Sequence, residues 1–137
     1  LRETEDREQG LVLIGRRQLR TNNSWMHNVP HLMKGKDRCT LMMHPKDAEA
    51  LGVSGDARVK VQSRVGSIEV PLEVTDEIMA GVVSLPHGFG HGRKGVKLEV
   101  AADHPGESVN DLTDHEGIDA LTGNAILNGV PVQVQAI

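Results

Sequence analysis

Two stretches of this chain concentrate side chains suited to holding a ligand rather than cutting a bond. The first contains Arg16, Arg17, Arg20, Thr21, Asn22, Asn23, Ser24, His27 and Asn28. Asn offers an acceptor oxygen and a two-proton donor together, Ser and Thr offer hydroxyls, and Arg presents a planar fork of donors. The same Asn-Asn-Ser run is also ordinary turn and helix N-cap chemistry, in which these groups satisfy nearby backbone. The second stretch is Pro86-His87-Gly88-Phe89-Gly90-His91-Gly92. Histidines four apart would invite a metal on a helix, but Gly88, Gly90 and Gly92 disfavour a helix, and no adjacent Cys or carboxylate completes a closed site. What remains is a tight turn with two packing histidines, or a loop stripped of side chains for close approach to something bound. His27 and His31 have the same spacing, but Pro30 intervenes and they serve the loop and its interface. His44, His104 and His115 read as surface residues. No catalytic residue and no protein-held metal are expected.

Composition narrows the class. A formal charge of -4 argues against a general nucleic-acid binder, which carries a basic face for phosphates. Cys39 is the sole cysteine, so neither an internal disulfide nor a four-thiolate cluster can form, and a reducing, cytoplasmic setting is favoured. Cys39 sits in an apolar pattern and reads as inert core. No apolar run approaches the roughly 20 residues of a membrane-spanning helix. Residues 1–10 form a charged lead-in without a signal-peptide core, and the initial Leu1 leads us to expect a chain cut from something longer. With 38% hydrophobic residues in 137, there is material for one core, hence one domain over 11–137. Trp25 and Phe89 are its only large aromatic rings, so Val, Leu and Ile must supply the packing.

The elements that position these stretches can be read from periodicity. Leu11 to Ile14 is an apolar run suited to a strand buried on both faces. From Arg16 to Asp37 there is no periodicity, and Trp25, Met26 and Leu32 are expected to anchor a long functional loop to the core. Cys39 to Met43 is apolar again. His44 to Gly52 reads as a helix with Pro45 in its first turn and Gly52 just past its end. Ala57, Val59 and Val61 alternate with Arg58, Lys60 and Gln62, then Ile68, Val70, Leu72 and Val74 alternate with Glu69, Pro71 and Glu73. With Val65-Gly66 between them these make a hairpin, and Pro71 puts part of the second strand at an edge. A brief capped turn from Thr75 or Asp76 to Met79 precedes a strand over 81–85. Residues 93–123 read as a surface excursion, and Val130, Val132, Val134 and Ala136 close the chain as a strand. The fold class is mainly β, about six strands with one or two short helices, closed as a barrel.

Three segments in order then carry a resemblance. They are Leu13-Ile14-Gly15-Arg16-Arg17 with Asn22-Asn23-Ser24-Trp25-Met26-His27-Asn28; Leu51-Gly52-Val53, Gly55-Asp56, Val74-Thr75-Asp76, Gly81-Val82-Val83 and Pro86 to His91; and Val109-Asn110-Asp111-Leu112-Thr113. Together they resemble the C-terminal domain of the dimethyl sulfoxide reductase superfamily over nearly the whole chain. The resemblance implies a double-psi β-barrel that binds molybdopterin guanine dinucleotide, with molybdenum or tungsten held through the cofactor and the remaining domains of a parent oxidoreductase as partners. It implies cofactor contacts from Arg16, Arg17, Thr21, Asn22, Asn23, Ser24, Trp25, Met26, His27, Asn28, His87, Gly88, Phe89, Gly90, His91 and Asn110. Phe89 departs from the pattern, standing where Trp is common. The asparagines suit a heterocycle edge that mixes donors and acceptors, and an arginine suits phosphate, each charge-assisted bond contributing roughly 1.5–3 kcal/mol.

Three other readings compete. One is a stand-alone protein resembling the small molybdopterin-binding subunit of formylmethanofuran dehydrogenase. A second is a self-processing pyruvoyl decarboxylase, prompted by Gly66-Ser67 but lacking any Tyr. The third is a protein-binding barrel adaptor, which leaves the Asn-Asn-Ser-Trp run unexplained.

Overall fold

The computed structural model describes residues 10–137, so the lead-in over 1–10 lies outside the described residues except for Gly10. Six strands close into a barrel: β1 (Leu11–Arg16), β2 (Leu41–Met43), β3 (Arg58–Gln62), β4 (Ser67–Val74), β5 (Val82–Pro86) and β6 (Val130–Ala136), in the spatial order β1-β5-β2-β4-β3-β6. Two pairings, β1 with β5 and β2 with β4, are parallel, and the antiparallel β2–β5 pair joins them. Three short helices, α1 (Pro30–Met33), α2 (Pro45–Ala50) and α3 (Glu99–Asp103), and a 3-10 turn over Val109–Asp111 fill the connections.

The alternating strands behave as their period requires. Val59 and Val61 of β3 face Val70 and Ile68 of β4 across the pair, and all four are buried. They meet Leu13, Leu41, Met43, Val83 and Leu85 in one contiguous aliphatic core. Burying each such side chain contributes roughly 1.5–3 kcal/mol, so the shortage of rings is offset by number. In β4, the Leu72 N–H donates to Ala57 O at 2.8 Å, which turns the nitrogen of Pro71 to the opposite side. Pairing with β2 there begins only at Leu72, so the missing donor of Pro71 costs no ladder bond. α2 begins as expected: the His44 Nδ1 accepts from the Lys46 N–H at 3.1 Å with Pro45 in the first turn. Gly66-Ser67 lies at the β3–β4 reversal, closed by the Ser63 N–H on Gly66 O at 2.9 Å. Gly66 is packed against the Asp111 carbonyl with no room for a side chain, which accounts for that dipeptide without self-processing.

Two expectations are corrected. β1 is not buried on both faces: Leu13 alone is fully buried, and its neighbours Val12 and Ile14 are half-buried, because a barrel strand has one inner face and little covers the outer one. Nor is 93–123 wholly a surface excursion. Ala101 is fully buried, and Val109 and Leu112 join the core. Each short segment there supplies only one or two inward residues, so no period develops to reveal them. The surface description holds further on, where Ile118, Leu121, Ile126 and Leu127 are exposed.

Leu112→Ala tests this correction. We expect a loss of about 2–5 kcal/mol, the range for a buried Leu, read as a lowered urea midpoint; a change within about 0.5 kcal/mol, as for a surface site, would refute the packing.

Candidate functional site

The parallel pairing of β1 and β5 builds the site. Its register sets Arg16 opposite Pro86, so the 16–28 and 86–92 stretches leave the barrel side by side although they are about seventy residues apart in the chain. The His87 N–H extends the ladder to Arg16 O at 3.0 Å. Beneath it, the His87 ring occupies the space where a Cβ on Gly15 would stand. Gly88, at φ 88°, brings its backbone against the Asn23 carbonyl so closely that any Cβ would overlap it. The approach for which this glycine is needed is thus between the two loops themselves. Asn22 and Asn23 take φ 43° and 64°, a left-handed turn that Asn tolerates better than other residues with side chains. The backbones of Asn22 and Asn23 make the turn, while the side chains of Asn22, Asn23 and Ser24 stand exposed.

Under the turn lies His27, with 0% exposure. Its Nε2 sits 2.9 Å from His104 O, and a carbonyl only accepts, so this nitrogen donates. In the neutral ring Nδ1 is then a bare lone pair, buried without a partner among the described residues. The ring meets Phe89 edge-on at 4.6 Å and His91 at 4.3 Å between centroids. His91 in turn directs Nε2 at Gly88 O, 2.8 Å away. Burial pushes the His27 pKa below the ordinary value; the His104 carbonyl opposes, and the His91 charge adds to the lowering. His87 is lowered too, by burial and by Arg17.

A third segment completes the assembly. Gly90 and His91 donate their N–H groups to Pro105 O at 2.7 and 3.1 Å, and Ser108 packs under Gly90. The Asn28 Oδ1 accepts from the Ala101 N–H at 3.2 Å, satisfying the first turn of α3. Cys39 is buried, accepts from the Glu107 N–H at 3.3 Å, and burial pushes its thiol pKa up, which fits the inert role read for it. Asn110 is exposed on the 3-10 turn, next to Asp111, which pairs with Arg93 beyond the 86–92 loop.

The candidate residues thus divide. Arg17, Asn22, Asn23, Ser24, Trp25, Met26 and Asn110 are exposed, with His87, Gly88, Gly90 and His91 half-buried. Arg16 is engaged internally, on Ser84 O at 2.5 Å, Thr40 O at 2.8 Å and Thr40 Oγ1 at 3.0 Å, with burial lowering its pKa and Glu73 opposing. Thr21, His27 and Phe89 are buried. Trp25 and Met26 do not anchor the loop, being 84% and 41% exposed. The anchors are Thr21, whose Oγ1 donates to Gln18 O at 3.2 Å, and His27, with Met33 behind them. An expectation built on apolar side chains misses polar anchors that bind backbone. It also misses His104 and Pro105, which act through carbonyl oxygens that every residue type carries.

A closed six-strand barrel with these parallel pairings and its connecting loops at one end is a double-psi β-barrel. The chain belongs to the family described as the molydopterin dinucleotide binding domain, which matches residues 11–131. It is 23% identical over 126 residues to the tetrathionate reductase of Salmonella typhimurium, a match covering 80% of this chain and 12% of that protein. It is 31% identical over 114 residues to the molybdopterin-containing subunit of arsenate respiratory reductase from Chrysiogenes arsenatis, covering 80% and 13%. Acetylene hydratase from Pelobacter acetylenicus shares the fold, with a TM-score of 0.77 at 20% identity over 93% of this chain and 18% of that one. The chain therefore spans about an eighth of the curated relatives it matches.

Gly88→Ala is expected to break the contact between the loops, with strain at a positive φ added to the overlap. Amide exchange should accelerate over 21–28 and 86–92 while the β3–β4 amides keep their protection; an unchanged loop would show that Gly88 does not hold the two stretches together.

Proposed function

We propose that this molybdopterin dinucleotide-binding domain is the C-terminal part of a larger molybdenum- or tungsten-dependent oxidoreductase, and that its loop end holds molybdopterin guanine dinucleotide. The observation that carries this reading is the convergence of the 16–28 and 86–92 stretches through the Arg16–Pro86 register and the Gly88–Asn23 contact. The donor set fits the ligand. Asn22, Asn23 and Asn110 offer paired donors and acceptors for heterocycle edges, Ser24 a hydroxyl, and Arg17 a cation for phosphate. Trp25 offers a ring face and an indole donor at the same end. Arg16, Thr21, His27 and Phe89 support these groups from beneath, and the exposed Asn28 ties the loop to α3 through the Ala101 N–H. When bound, the cofactor would carry the metal through its dithiolenes and supply the redox chemistry; this chain would bind, orient and shield it.

The shape of that end also fits a partial binder. The broadest cleft described, 690 Å³ beside β2 and β4, is lined by residues such as Lys36, Arg38, Thr40 and Glu73 and by none of the exposed loop side chains. A smaller cleft of 230 Å³ beside the 86–92 loop is lined by Gly90, Gly92, Pro105 and Asp111, which suits a domain that closes over a cofactor held from its other side by further domains. The exposed Leu19, Trp25 and Met26 would then meet those domains or the cofactor itself. Among the described residues no helix is long and apolar enough to cross a membrane.

The experiment is Asn110→Ala and Trp25→Ala in the parent enzyme, with metal and pterin content measured after gel filtration. A lost hydrogen bond of about 1 kcal/mol predicts roughly fivefold weaker retention for Asn110→Ala, with Trp25→Ala also lowered and the barrel's circular dichroism unchanged. Normal occupancy in both variants would overturn the assignment.

A further inference from the structure

His27 joins more of the loop end than any residue that faces outward. It belongs to the 16–28 turn, donates to the segment after α3 through His104 O at 2.9 Å, and packs on Phe89 and His91 of the 86–92 loop. Its surroundings favour a neutral ring. The charged or titratable groups bearing on it are His91 from the 86–92 loop and His104 from the segment after α3, and both repel an imidazolium. Asp37, from the segment before β2, addresses the far side of His104, with 3.4 Å to its Nδ1. Arg17, on its own turn, bears on His87. Among the described residues no carboxylate is placed to compensate a charge on His27. The group there able to receive a second proton's hydrogen bond is Gly88 O, which already accepts from His91 at 2.8 Å and would have to be shared; its help is outweighed by burial.

We propose that His27 is a positioning residue that fastens the 16–28 turn, the 86–92 loop and the 104–107 segment into one face, and that it does so only as a neutral imidazole, so that acid unfastens this face before it unfolds the barrel. The inference rests on the reading of that face as the cofactor-holding one. His27 touches no ligand; it acts through the backbones that carry Asn23, Ser24, His87 and Gly88. The sign follows from linkage. Burial depresses the pKa of His27 in the closed junction, so the open junction binds the proton better. Closure is fully favoured above the ordinary histidine value of about 6.5. Opening should grow about tenfold for each pH unit below it, until the closed-state pKa is reached, after which it levels off. The β3–β4 pair packs on the aliphatic core through Val59, Val61, Ile68 and Val70 and serves as the reference for the barrel.

The test is hydrogen exchange of the 137-residue chain without cofactor, from pH 8 to pH 5, corrected for intrinsic rates. The amides of Met26, His27, Gly90 and His91 report the junction, and those of the β3–β4 pair report the barrel. We expect junction protection to fall up to tenfold per pH unit below 6.5 while barrel protection holds. In His27→Gln, whose amide nitrogen can still donate to His104 O but cannot take a proton, the slope should shrink to what His87, also lowered by burial at this junction, contributes. The same slope in His27→Gln would overturn the proposal. So would a wild-type His27 ring that titrates by NMR without any change at the junction, a measurement that stands even if the variant folds poorly. Cofactor retention by the parent at pH 5 is read separately and should be higher in His27→Gln than in wild type. A proton-dependent junction with pH-independent retention would overturn the cofactor-face reading and leave the latch; a junction without slope would overturn the latch and leave the face.

Discussion

The parallel ladder between β1 and β5 is the constraint on which the rest depends. Parallel neighbours send their C-terminal ends in the same direction, so the chain segments that follow them emerge together at one end of the barrel. Here the ladder runs to Arg16 and Pro86, and the His87 N–H adds one more bond to Arg16 O. Two polar stretches far apart in the chain thereby share a face, and the remaining contacts refine a proximity the backbone has already imposed. Glycine at position 88 allows the two loop backbones to touch, and glycine at position 15 leaves room for the His87 ring.

That face is supported from beneath by polar rather than apolar anchors. A buried polar group costs free energy unless it is hydrogen-bonded. Thr21, Arg16 and His27 meet the condition by binding backbone carbonyls, those of Gln18, Ser84 and Thr40, and His104. Such bonds are directional, so they hold the loops in one geometry, whereas apolar burial alone would leave them free to slide. The consequence is economy at the surface. The side chains of Trp25, Asn22, Asn23 and Ser24 are left exposed. The unpaired atom in this support, His27 Nδ1, is where the arrangement is conditional on protonation.

The match to the molydopterin dinucleotide binding family over 11–131 includes both loops and the Asn110 segment. The chain covers only about an eighth of the length of these curated relatives.

Much of this was legible in the residues alone, for physical reasons that can be named. Strands β3 and β4 follow from a period of two, because a half-buried strand must alternate, and α2 from Pro45 and Gly52 at its ends. The loop residues that could bind a ligand were recognisable because donor and acceptor types are properties of side chains. Tertiary structure alone decided which of them face outward. Arg16 looks as available as Arg17, yet it bonds within the fold, and the exposed Asn28 spends its side-chain oxygen on the Ala101 N–H. Ala101, Val109 and Leu112 looked like surface and are core, since single inward residues on short segments leave no pattern. His104 and Pro105 hold the face through carbonyl oxygens. A backbone atom common to every residue leaves no mark in the sequence, and its role exists only once the chain has brought a donor to it.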